Sequence, residues 1–218
     1  KTIGVKAFAT CRNLKFPNLG IKCVIKDGAF EGCVAESVGP LEAEPLKILI
    51  VGIEQSGKST IAREVFAPYS SSREYYESAI IYSVSHVVGI REHRWEIWDS
   101  IGSQTSGRID PNLYGNSNMV LIIIDPTNED SIEFLSFYYD NVKFTPGCKV
   151  VVVLNKTDSV DEGFDRERLL NYVANDNLAY FEVCCIDGTG IQELEEYVVT
   201  ELCRGRVNPG KGSDRRSR

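Results

Sequence analysis

The sequence predicts an α/β fold: a six-stranded, mostly parallel sheet with helices on both faces, preceded by part of a repeat solenoid. Three observations predict it. Short apolar runs alternate with helical patterns through residues 46–203, as in strands joined by crossover helices. A glycine-rich turn from Gly52 to Ser59 joins the first apolar run to the first helical pattern. The first 39 residues hold two copies of one motif, 22 residues apart.

The repeat comes first along the chain. Ile3, Ala7, Phe8 and Cys11 recur as Ile25, Ala29, Phe30 and Cys33. A fixed period of this size signals a solenoid, whose units bury their apolar faces by stacking. The alternative is two unrelated hairpins, with Asp27-Gly28 as a turn. The pattern, with Leu14 and Pro17 between the copies, resembles BspA-like leucine-rich repeats. The resemblance covers one full repeat and the start of a second. It implies that Phe, Cys and Leu fill the interior of a coil. About three repeats are normally needed for stability, so residues 1–39 read as the end of a longer upstream array. Residues 40–45, bounded by Pro40 and Pro45, read as a linker.

Residues 46–203 read as one domain. Strands are predicted at 46–51, 80–88, 95–98, 119–125, 150–155 and 180–183, and helices at 59–66, 131–142, 166–176 and 191–203. The second and third strands lie too close for a crossover helix, so they form an antiparallel hairpin turning near Gly89. Trp95 and Trp98, at odd spacing on one strand, face opposite sides. Phe137, Tyr138 and Tyr139 pack the second helix. Glu193, Glu195 and Glu196 read as a solvated helix face. His86 and His93 read as surface or hairpin packing. Residues 204–218 lack apolar periodicity and read as a basic disordered tail.

Composition excludes several classes. With 43% apolar and 25% charged residues in 218, the chain is neither collagen-like nor wholly disordered. A net charge of −7 argues against dedicated nucleic-acid binding. It is unevenly spread, with a net −13 on residues 46–203 and +5 on residues 204–218. The apolar runs are too short to span a membrane, and no signal peptide opens the chain. The start at Lys1 suggests a fragment or processed product. The seven cysteines show no paired metal-ligand spacing, and adjacent Cys184 and Cys185 are poorly placed for zinc or a disulfide. They read as packed thiols of a reduced, cytoplasmic protein.

The chemistry begins at Gly52-Ile-Glu54-Gln55-Ser56-Gly57-Lys58-Ser59-Thr60. This is the G-x-x-x-x-G-K-S phosphate loop, in the strand-to-helix context it requires. Its glycines let backbone N–H groups curl around phosphate oxygens. Lys58 supplies a cation to the β- and γ-phosphates. The Ser59 hydroxyl can ligate Mg²⁺, which prefers oxygen donors.

Four more segments follow in order. Trp98-Asp99-Ser-Ile-Gly102 resembles the D-x-x-G motif of the Ras superfamily. Asn155-Lys156-Thr-Asp158 resembles its N-K-x-D motif, and Cys184-Cys185-Ile186 its S-A-K segment. Tyr-Glu-Ser78-Ala79 falls in the first switch region. The domain is thus similar to a Ras-superfamily small GTPase with a P-loop NTPase fold. The 125–132 segment looks Rab-like, whereas the phosphate loop and the Tyr76–Ala79 stretch look more like the Rag branch. The resemblance implies GTP/GDP and Mg²⁺ as ligands, with Ser59 and Asp99 holding the metal and Gly102 meeting the γ-phosphate. It implies that Asp158 accepts from guanine N1–H and N2–H₂, that Lys156 covers the ring, and that Asn155 braces the loops. The Cys185 N–H would meet guanine O6, with Cys184 and Ile186 alongside.

The departures are informative. Ala79 occupies the place of the switch I Thr and offers no ligand oxygen; Ser78 lies beside it. Ser103 follows Gly102 where the family has its catalytic Gln, and Gln104 comes one residue later. Ser103 is too short to orient the attacking water. Glu54 could obstruct an arginine finger. Lys58, Ser103 and Gln104 are therefore the catalytic candidates of a weak hydrolase. The expectation is a guanine-nucleotide switch with slow hydrolysis, attached to repeats in a combination similar to the Roco proteins. The alternative is a pseudo-GTPase scaffold. Regulatory or effector proteins would contact the switches and repeats. Without a C-terminal C-a-a-X box, membrane contact would be indirect or through the basic tail.

Overall fold

In the computed structural model, residues 2–3, 24–25, 44–67, 70, 72–76, 78–88, 91–101 and 111–204 are described. The chain divides into two compact units, Lys1–Pro45 with Ser85–Trp95, and Leu46–Val84 with Glu96–Arg218. In the first unit, β1 (Thr2–Ile3) and β2 (Val24–Ile25) pair in parallel, with Thr2 opposite Val24 and Ile3 opposite Ile25. The offset equals the repeat spacing. Phe8, Cys11, Phe30 and Cys33 lie outside the described residues, as do 40–43 of the linker and 205–218 of the tail.

The second unit is built on β3 (Leu46–Gly52), buried along its whole length. A strand covered on both faces reads as a near-continuous apolar run, and each fully buried Ile or Leu here contributes about 1.5–3 kcal/mol. Lys47 is the exception. Its ammonium donates to the carbonyls of Leu113 (2.6 Å) and Gly115 (3.0 Å) and sits 3.9 Å over the Trp98 ring. Burial lowers its pKa, against the attraction of Glu96.

β3 pairs in parallel with β7 (Met119–Ile124), β7 with β8 (Lys149–Leu154), and β8 with β9 (Ala179–Glu182). The register brings Gly52, Ile124, Leu154 and Glu182 to one edge. Ligands of open α/β sheets bind in the loops beyond the carboxyl ends of such strands.

Among the described residues the sheet has seven strands rather than the six expected, in the order β4 (Ser72–Tyr76), β5 (Ala79–Val88), β6 (Arg91–Ser100), β3, β7, β8, β9. β5 and β6 are the expected hairpin, joined by two residues; β6 extends well beyond the predicted 95–98. The unexpected strand is β4, antiparallel to β5 with Ser72 opposite Ser83 and Tyr76 opposite Ala79. All five of its side chains are exposed, so no apolar alternation marks it in the sequence.

The first helix starts as α1 (Lys58–Thr60) and continues as a π-helical stretch, Ile61–Phe66, which buries Ile61, Ala62, Val65 and Phe66. α2 (Asp130–Val142) buries Ile132, Leu135, Tyr138 and Val142 at helical spacing. α3 (Arg166–Asn175) begins where the Asp165 carboxylate accepts the Arg168 N–H at 2.9 Å, a cap worth about 1 kcal/mol. α4 (Ile191–Arg204) corrects one expectation. Glu193 and Glu196 are exposed, but Glu195 is buried. It lies three residues before Val198 and seven before Leu202, on the inward stripe of the helix. Trp95 is buried and Trp98 half-buried, on opposite faces of β6.

Candidate functional site

The loop after β3 is shaped by what its glycines permit. Gly57 has φ +94, and a Cβ there would lie 2.1 Å from Asn155 Nδ2. A Cβ on Gly52 would lie 2.6 Å from the Ile123 carbonyl. Ser56 is buried and donates its hydroxyl to the Ile53 carbonyl at 2.9 Å. The Lys58 ammonium donates to the same carbonyl at 2.5 Å. Glu54, Gln55 and Ser59 are exposed, and Thr60 is half-buried.

Burial pushes the Lys58 pKa down, against the attraction of Asp99 and Glu54. Burial pushes the Asp99 carboxyl up, against a hydrogen bond from Ser59 and the charges of Lys58, Arg63 and Arg73. Asp99 is the last residue but one of β6 and is only 2% exposed. Its Oδ1 is buried without a partner among the described residues. Such an orphaned carboxylate oxygen is costly. Beside the Ser59 hydroxyl it makes an all-oxygen pair that suits a hard divalent cation.

The switch elements are only partly in view. Gly102, Ser103 and Gln104 lie outside the described residues. Ala79 is fully buried at the end of the β4–β5 turn, and the Ile101 N–H donates to the Ser78 carbonyl at 2.9 Å.

The other side of the site follows β8 and β9. Asn155 is 3% exposed, and its Nδ2 donates to the Ser56 carbonyl at 2.9 Å. This clasp joins the N-K-x-D segment to the phosphate loop. Lys156 has φ +56, and its ammonium pairs with Asp125 Oδ2 at 2.7 Å. Asp125 is buried at the end of β7 and also accepts from the N–H and hydroxyl of Thr127. The sequence reading gave Asp125 no role. Its only signal was the Asp-Pro-Thr-Asn turn, which does not reveal a partner 31 residues away.

Asp158 is exposed. Its Oδ1 accepts from the Cys184 thiol at 3.2 Å and its Oδ2 from the Ser159 hydroxyl at 3.0 Å. The Cys184 bond, then that of Ser159, holds its carboxyl below the usual carboxylate range. The Cys185 thiol lies 3.6 Å from Asn155 Oδ1, and burial pushes it up to about 11. Ile186 is 85% exposed. An ionised, outward carboxylate can take a pair of N–H donors from a planar base, and an exposed apolar stem beside it can cover the ring.

Residues 47–204 match the Ras family. The chain belongs to the Ras family. Relatives include Ras-related protein Rab-4 of Dictyostelium discoideum, 24% identical over 172 residues, covering 75% of this chain and 83% of that protein. GTP-binding protein YPT53 of Saccharomyces cerevisiae is 25% identical over 159 residues, covering 68% and 72%. Ras-related protein RABF2b of Arabidopsis thaliana is 24% identical over 181 residues, covering 78% and 90%. Ras-family GTPases bind GTP and GDP with Mg²⁺. The Ras-family domain here is therefore Rab-like, and the match spans the phosphate loop, Asp99 and the N-K-x-D segment. Among the described residues, no group of three or more His, Cys, Asp or Glu could hold a metal ion.

Proposed function

We propose that this chain is a guanine-nucleotide switch with slow GTP hydrolysis, in a cytoplasmic protein that carries leucine-rich repeats before its G domain. One observation carries the binding reading: the Asn155–Ser56 clasp, which brings the phosphate loop and the exposed Asp158 into one site. Phosphates lie against the loop from Gly52 to Thr60, with the Lys58 ammonium turned from the Ile53 carbonyl toward them. Ser59 and Asp99 would hold Mg²⁺, which would supply positive charge against the phosphates. Asp158 takes the guanine edge, and Lys156 and Ile186 cover the ring.

Slow hydrolysis rests on what is missing. Ala79 is fully buried and has no hydroxyl to close on a nucleotide. Ser103 stands in place of the water-orienting Gln. Positioning alone then supplies the catalysis. Intrinsic turnover is at or below about 10⁻⁴ s⁻¹, the scale of small GTPases acting alone. Exposed Glu54 disfavours an arginine finger. Single-turnover hydrolysis of GTP by the purified chain tests this. Fast turnover without a partner, or strong stimulation by an arginine-finger protein, would refute it.

The repeat reading is supported by the parallel pairing of Ile3 with Ile25 at the repeat spacing. Successive coils of a solenoid stack in parallel at one repeat's offset. Further copies at this period upstream would extend the array. Effector and regulatory proteins then bind through the switches and the repeats, and any membrane contact is indirect or through the basic tail.

A further inference from the structure

Two adjacent thiols sit in the guanine side of the site, and each faces a different residue of the N-K-x-D segment. The Cys184 thiol donates to Asp158 Oδ1 at 3.2 Å, and the Cys185 thiol lies 3.6 Å from Asn155 Oδ1. Cys184 is buried and held by backbone bonds from its N–H to the Thr189 carbonyl (2.9 Å) and from the Gly188 N–H to its own carbonyl (2.9 Å). Asp158, by contrast, is exposed. The buried, backbone-held partner therefore sets the orientation of the exposed one. Ser159 holds only the other carboxylate oxygen, from the adjacent position in the chain.

A thiol is a weak donor. The Asp158 Oδ1 is thus aimed by a weak hydrogen bond.

We propose that Cys184 is a positioning residue for base recognition, whose weak thiol bond to Asp158 sets a loose guanine clamp with fast nucleotide release. The inference rests on the guanine reading above. It makes a slow hydrolase that reloads by itself, so that the GTP:GDP ratio of its surroundings sets its state.

The test is a pair of near-isosteric substitutions in the full chain, Cys184→Ser and Cys184→Ala. Release of a fluorescent GDP and the dissociation constants of GDP and IDP are measured for each. IDP lacks the 2-amino group, so it loses one of the two bonds that a well-aimed Asp158 makes. A hydroxyl donates more strongly than a thiol, so Cys184→Ser slows GDP release about three- to tenfold and raises the preference for GDP over IDP by a similar factor. Cys184→Ala moves both in the opposite direction. Should the alanine variant fail to fold, the serine variant keeps its size and carries the test alone. A purely structural role for Cys184 shifts GDP and IDP together and leaves their ratio unchanged. That result, with wild-type binding intact, overturns this inference and spares the guanine reading. No GDP binding by the wild type overturns both.

Discussion

Asn155→Ala removes the clasp between the two halves of the site, and its cost follows from the structure. The Asn155 Nδ2 bond to the Ser56 carbonyl is 2.9 Å long and lies between two buried residues. Loss of the bond itself costs about 1 kcal/mol, and the buried Ser56 carbonyl left without its donor costs about 1–3 kcal/mol more. The Cys185 thiol also loses its acceptor, a smaller effect. The sum is about 2–4 kcal/mol. With a urea dependence of about 2 kcal/mol per molar for a domain of this size, the unfolding midpoint falls by about 1–2 M. Urea unfolding of the nucleotide-free chain by far-ultraviolet circular dichroism reads this directly. Asn155→Asp keeps the acceptor for Cys185 and nearly the same volume, but turns a carboxylate oxygen toward the Ser56 carbonyl. It should destabilise at least as much. A midpoint drop below about 0.3 M for both variants would show that water replaces the amide freely, and that the clasp does not hold the loop.

Other predictions concern the same site. Gly57→Ala places a methyl on Asn155 Nδ2 and forces a left-handed backbone on a side chain, so it should cost more than about 2 kcal/mol and abolish nucleotide binding; the melting temperature and a nucleotide titration check this. Burial raises the Asp99 pKa in the folded chain, so folding takes up protons there and its contribution falls as pH rises through the range above the ordinary carboxylate value of about 3.9. Asp99→Asn should therefore raise nucleotide-free stability at neutral pH while removing the Mg²⁺ dependence of nucleotide affinity. Thermal melts from pH 4 to pH 8 and titrations with and without Mg²⁺ separate the two effects.

Legibility in the sequence follows from how local each feature is. β3, β7 and β8 announce themselves because strands covered on both faces are near-continuous apolar runs, Lys47 and the exposed Lys149 aside. The phosphate loop is legible because its geometry demands glycine at residues 52 and 57, whatever else varies. β4 is silent because a fully exposed edge strand has no apolar alternation, and its identity comes from pairing with β5. Glu195 is hard to read because a run of acids looks like a solvated face, although helical spacing puts it on the stripe of Val198 and Leu202. The contacts of Lys156 with Asp125 and of Asp158 with Cys184 join residues 31 and 26 positions apart. Such partners become neighbours only when the strand ends align.

The proposed site joins the phosphate loop, Asp99 and Asp158 into one unit selective for guanine. The most direct measurement is a titration of the purified chain with a fluorescent guanine nucleotide, with and without Mg²⁺, against guanine and adenine competitors. The expected result is saturable one-to-one binding that tightens with Mg²⁺, is displaced by GDP and resists ADP. Saturable binding displaced equally by ADP, or no saturable binding, would contradict it.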